Sequence, residues 1–232
     1  ILPTILWLGA KAVNNLTGLE LIPAMILLGS LSLAYSLYGG LKAVALTDVI
    51  QVVLLIFGGL FVTYKGLDLL SEGNGLFEGF MILQSEFPEK FDAILSYAPK
   101  EVDPEAYANY IKLPGIWVLI GGMWIAHFYY WGTNQYITQR ALGGKSLYEA
   151  QNGLMFAGFL KIFMPIVVVL PGLIAVALEA NGTINLAGDR SNAYPSMLNL
   201  LPEGIKGLTF AALVAAIVSS LASLSNSVST IF

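Results

Sequence analysis

Apolar residues gather into six blocks, 1–13, 21–38, 44–64, 114–131, 153–178 and 207–232, parted by polar stretches of unequal length. At about 1.5 Å per residue the last five are long enough to cross a hydrocarbon layer of about 30 Å, and the first predicts part of a further helix. Pro23 falls in the first turn of its block, where a missing N–H costs least. Only Gly39-Gly40-Leu41-Lys42 separates the second block from the third, so these two helices are expected to return antiparallel as a hairpin. The stretch 66–112 breaks the pattern. Glu72, Glu78, Glu86, Glu89, Asp92, Glu101, Asp103 and Glu105 there outnumber Lys90, Lys100 and Lys112. Phe77, Phe80, Met81, Leu83 and Phe87 predict a short amphipathic helix lying on the surface of this large external loop. Pro165 and Pro171 are expected to kink the block 153–178.

The last block carries a second pattern inside the apolar one. At about 100° per residue, Ala216, Ser219, Ser220, Ser223 and Ser227 fall on one stripe of a helix. Hydroxyl and carbonyl oxygens suit a hard cation such as sodium, and broken membrane helices supply further carbonyls. Small residues also let membrane helices approach closely, so the stripe reads equally as a packing face.

Composition agrees with the block pattern. Of 232 residues, 56% are hydrophobic and 11% charged, and the mean hydropathy is +0.74. Soluble domains carry about 25% charge, so the chain reads as a multi-pass protein whose first partner is the lipid bilayer. No cysteine is present, which excludes a disulfide framework and a thiolate metal site. Lys and Arg are scattered rather than clustered, which leaves no patch for nucleic acid. The first block opens without a charged leader and the last stops inside a helix, so the chain reads as an internal fragment of a longer transporter. Lys42, Arg140 and Lys145 face one acid in the loops 39–43 and 132–152, which places those loops in the cytoplasm and the chain in the cell membrane.

Three places could carry chemistry. Lys161 stands inside a hydrophobic block, at a cost of about 2.5–3.5 kcal/mol on insertion scales; it either faces a polar solute or snorkels to the interface. Asp48 follows Thr47 in the first turn of its block, as a capped acid favoured by the helix dipole or as a carboxylate at the inner mouth of a cation path. His127, Tyr130, Trp131 and Asn134 share one helical face, suited either to a small polar ligand or to an interfacial aromatic belt. A single His without Cys makes no transition-metal constellation.

Several motifs resemble a known family. The run from Tyr35-Ser36-Leu37-Tyr38-Gly39-Gly40-Leu41-Lys42-Ala43-Val44 to Thr47-Asp48-Val49-Ile50-Gln51 is similar to the signature of the sodium:solute symporters. Leu113-Pro114-Gly115 and Tyr130-Trp131-Gly132-Thr133-Asn134-Gln135-Tyr136-Ile137-Thr138-Gln139-Arg140 resemble its sodium/sugar branch, and Ala215–Ser223 resembles its sodium-site helix. The resemblance implies an all-α fold, of which these blocks would be core helices three to eight of a five-plus-five inverted-repeat, leucine-transporter-like arrangement. It implies sodium held by the Ala216 carbonyl and the Ser219 and Ser220 hydroxyls, with Asp48 lining the inner exit. It further implies a sugar bound by Lys161 and His127 and capped from the cytoplasmic side by Tyr130 as inner gate, although the bacterial sodium/galactose pattern has Asn at position 127. Ser223 and Ser227 then remain packing positions. The expected function is sodium-coupled symport of a small polar solute, most simply a sugar. Its alternatives are symport of a polyol, a sialic-acid-like sugar, an amino acid or a carboxylate, or a transporter-like sensor domain. No catalytic pair such as His-Glu-x-x-His points to an enzyme.

Overall fold

The computed structural model describes residues 1–92, 94, 95, 97–112 and 115–231; of residues 39–44 and 105 it describes the backbone alone. The side chain of Lys42, read above as an inner-loop charge, and the Leu113-Pro114 pair are outside the described residues. The described chain is all-helical, and five of its segments are long and apolar enough to cross a membrane: Leu21–Tyr38, Ala45–Leu70, Ala106–Thr133, Leu147–Ala180 and Glu203–Ile231. It divides into two compact units, one of Ile1–Leu83 with Phe156–Phe232 and one of Gln84–Met155.

In the first unit, α1 (Leu2–Thr17) ends on Gly18, whose φ of 74° is the left-handed cap that returns its N–H to the Asn14 carbonyl. Next comes α2 (Leu21–Leu70), which holds two apolar spans, Leu21–Tyr38 and Ala45–Leu70. The path nevertheless reverses. Residues 35 and 47 would stand about 18 Å apart on a straight helix, yet the hydroxyls of Tyr35 and Thr47 are in contact. Leu28 of the first arm and Gly58 of the second both pack on α10 (Glu203–Ile231), the former beside Leu221 and the latter against Thr209.

The helix α10 lies between the two arms. Its Leu221 joins Ala10 and Val13 of α1 and Ala24 and Leu28 of α2 in a buried cluster edged by Met25, Phe210, Val214 and Ile217. Lipid tails are as apolar as these side chains, so close packing holds the helices together more than exclusion of water. Glycine supplies that closeness on the second arm: a Cβ at Gly58 would meet Thr209 at 2.6 Å and one at Gly59 would meet Val167 at 2.3 Å. Val167 belongs to α8 (Leu147–Ala180), which continues through Pro165 and Pro171. A polar tie reinforces this contact where Thr63 donates to the Ile166 carbonyl at 3.0 Å. The short α3 (Leu76–Glu86) is the surface helix expected from the Phe-rich stretch, and α9 (Ala193–Asn199) buries Met197 and Leu198 at the same end of the unit as Gly66 of α2.

The second unit opens with α4 (Pro104–Lys112), against which Tyr97 packs edge-on through Tyr107 and Tyr110. From 115 to 133 the helix alternates α turns (α5, Gly115–Trp117; α6, Met123–Phe128) with π turns (Val118–Gly122 and Tyr129–Thr133). A further helix, α7 (Gln135–Leu142), follows.

Candidate functional site

The stripe on α10 divides by burial. Ser219, Ser223 and Ser227 are sealed at 3%, 0% and 4% exposure, whereas Ala216 and Ser220 are half-buried. Ser227 turns its hydroxyl onto the Ser223 carbonyl at 2.9 Å, the local bond of a packing residue. Ser219 does something different: its hydroxyl donates to the Asp48 carboxylate on the second arm of α2. Three residues that the sequence reading singled out for one cation, Ala216, Ser219 and Ser220, thus share a helix with a carboxylate against its middle member. The Ser219 and Ser220 hydroxyls and the Ala216 carbonyl are all oxygens, the donor chemistry that a hard cation such as sodium takes.

Thr47 is not the helix start inferred from sequence, because α2 runs through it; its hydroxyl instead meets Tyr35 across the reversal. Further toward the bend, Ser36 donates to Asn226 Oδ1 at 2.8 Å, while Asn226 Nδ2 is buried and has no hydrogen-bond partner among the described residues. Tyr35 and Asn226 were missed by the sequence reading as contributors to this polar lane. Tyr35 lies inside the quoted motif, but its proximity to Thr47 depends on a reversal that no local pattern dates to a particular residue.

In the first unit Lys161 is on α8 with its side chain exposed. In the second, His127 lines a shallow concavity of about 340 Å³ with Trp124, Phe128, Trp131 and Gly132. Tyr130 stands edge-on to Trp131, ring centroids 5.2 Å apart at 86°. Asn134 leaves the expected face altogether: it is extended at ψ 113° and caps α7, its side chain accepting from the Tyr136 N–H at 3.2 Å. The reason is the π turn at Tyr129–Thr133, which widens each turn by a residue and defeats a +7 projection at 3.6 residues per turn.

At the opposite end of the first unit from the bend, Lys11 pairs with Asp189 and lies over the Trp7 ring at 5.2 Å, and Asn15 donates to Asn192 at 2.7 Å. The Lys11 ammonium, followed by the Ser191 hydroxyl and N–H, holds the Asp189 carboxyl down at about 2.

Comparison with known proteins bears on this arrangement directly. The family model described as "Sodium:solute symporter family" matches residues 4–232. The chain is 43% identical to a sodium/glucose cotransporter of Vibrio parahaemolyticus, an alignment that covers all of this chain and 43% of that protein. It is 34% identical to the Escherichia coli (strain K12) symporter YidK, covering all of this chain and 39% of the relative. Against human sodium/myo-inositol cotransporter 2 the identity is 32%, over 98% of this chain and 35% of the relative. The chain therefore spans well under half the length of the curated relatives it matches. Matched along nearly all of its residues, and built of apolar helices long enough to cross a membrane, this multi-pass chain belongs to the sodium:solute symporter family.

Proposed function

We propose that the protein of which this chain is part couples the downhill entry of sodium to the uptake of a small polar solute, most simply a sugar. The observation that carries the reading is the buried oxygen donor Ser219 on α10, set against Asp48 of α2, in a chain of this family. Sodium binds the Ala216 carbonyl and the Ser219 and Ser220 hydroxyls and stabilises the outward-open state by differential affinity. The solute binds Lys161 and His127 above Tyr130. Rocking of a five-plus-five core, to which this chain gives helices three to eight, opens both sites inward, Tyr130 moves aside and sodium leaves past Asp48. The loops 39–43 and 132–152 then face the cytoplasm, and the cell membrane is the site of action. Coupling is reciprocal, so the solute tightens sodium by the factor by which sodium tightens the solute.

A polyol is the second reading, supported by the myo-inositol relative. The test is uptake of a labelled panel of sugars and polyols by the full-length protein in vesicles, with a sodium or a potassium gradient. Sodium-dependent accumulation of a hexose supports the first reading, and of an inositol alone the second; equal uptake in both salts overturns sodium coupling.

A further inference from the structure

A proline inside a helix removes one N–H from the ladder and crowds the preceding turn, so the helix bends or twists there more readily than elsewhere. The helix α8 carries two, Pro165 and Pro171. Its buried end begins at Val167 and takes in Pro171, Ile174, Ala175, Ala177 and Leu178. Lys161 stands before that end, beyond Pro165, and of residues 161–170 only Val167 is buried. The direction of the Lys161 amine is therefore passed through weakened turns, and whatever holds α8 near Val167 fixes it.

What holds it is the second arm of α2. Thr63 is 5% exposed and has one hydroxyl proton, with two carbonyls at 3.0 Å: Gly59, a turn earlier on its own helix, and Ile166 of α8. The first is the local bond of a threonine inside a membrane helix. The second crosses to α8 between its two prolines. Gly59 lets the backbones meet, since a Cβ there would stand 3.1 Å from the Val167 carbonyl oxygen and would also strike the Val167 side chain. That carbonyl is the one to which Pro171, four residues on, can offer no N–H. The closest approach thus falls on the weakened turn itself. At 100° per residue Lys161 lies about 120–140° around α8 from Ile166 and Val167. Rotating α8 by a single residue would swing the amine to another face.

We infer that Thr63 and Gly59 are positioning residues for the solute: they seat the proline-weakened stretch Ile166–Pro171 on α2, and so fix the rotation of the part of α8 that presents the Lys161 amine. This rests on the proposal above that Lys161 binds the solute.

The test is uptake by the full-length protein in vesicles of labelled D-glucose or myo-inositol, whichever the parent accumulates with sodium, read as KM and maximal rate. The sodium midpoint for thermal stabilisation is measured alongside, without solute. Lys161→Ala checks the underlying reading and should abolish accumulation. Thr63→Val keeps the shape and loses the bond to α8; KM for the solute should rise about two- to fivefold, the scale of one hydrogen bond between membrane helices, with the sodium midpoint unchanged. Thr63→Ser keeps the hydroxyl and should hold the parent KM. Gly59→Ala should raise KM about tenfold, and adding Val167→Ala, which removes the side chain that the new Cβ would strike, should recover most of the loss. Uptake of neither probe, or undiminished uptake by Lys161→Ala, overturns the solute reading and the inference with it. If Lys161→Ala abolishes accumulation while Thr63→Val and Gly59→Ala keep the parent KM, the positioning inference falls and Lys161 stands. A sodium midpoint that moves together with the solute KM makes Thr63 and Gly59 structural and overturns the inference as well.

Discussion

Ser219 of α10 donates its hydroxyl proton to Asp48 of α2, a residue 171 positions earlier in the chain. The bond joins two motifs that each have an adequate local explanation, a small-residue packing stripe and an acid one turn into an apolar block. Their meeting within one helical unit gives the stripe a polar focus. Ser223 and Ser227 lie below it and are spent on close packing.

Ser220 is the adjacent hydroxyl and is half-buried. On the proposed reading, Ser220→Ala removes one sodium ligand without disturbing the Ser219–Asp48 bond. Sodium-driven uptake by the full-length protein should then need about tenfold more sodium for half-maximal rate, the effect of one lost hydrogen-bond-strength contact to a charge. Uptake at the parent sodium affinity would remove Ser220 from the ligand set.

Lys161 is a cation within a helix of high apolar content. Lys161→Ala should abolish solute accumulation while sodium still raises Tm, and Lys161→Arg should retain the charge but lose the compact donor geometry. Loss of both responses in Lys161→Ala would make the residue structural.

The Lys11–Asp189 pair ties α1 to the segment between α8 and α10. Its carboxyl is held at about 2, below the ordinary 3.8. A depressed folded value means that the contact's stabilisation is fully present above the ordinary carboxylate range and is lost as pH falls through about 2. Pepsin, active across this window, should nick residues 181–202 slowly at pH 4 and faster near pH 2. Asp189→Asn should be nicked at pH 4 about as fast as the parent at pH 2, with the reversed pair Lys11→Asp with Asp189→Lys restoring protection. A rate independent of both pH and substitution would show that the pair holds nothing in place.

Gly79 of α3 faces the backbone of α2: a Cβ there would stand 2.1 Å from the Leu67 carbonyl oxygen. Backbone cannot swing aside as a side chain can, so Gly79→Ala should cost about 1–3 kcal/mol as an overpacking substitution. The corresponding loss is read as a lower Tm and faster proteolysis at 71–75. Gly29, with open space where its Cβ would go, is the matched control and should tolerate Ala.

Much of the architecture was legible because bilayer thickness, helix rise and apolar content are all properties of consecutive residues. Five apolar crossings, the short helix at 76–86 and the family motifs could therefore be read without knowing what touches what. The family motifs also marked Asp48, Ser219 and Ser220 before any contact was visible. Three things depended on the third dimension. The reversal between the two arms of α2 brought Thr47, expected as a helix cap, against Tyr35. Asn134 left the His127 face because a π turn altered the angular step that the projection assumed. The proton of Ser219 was assigned by Asp48, since a hydroxyl's direction is set by the acceptors around it and those came from a helix far away in sequence. Family resemblance thus named the oxygens proposed for a cation, residue type and spacing only permitted them, and tertiary packing decided which carboxylate meets one of them.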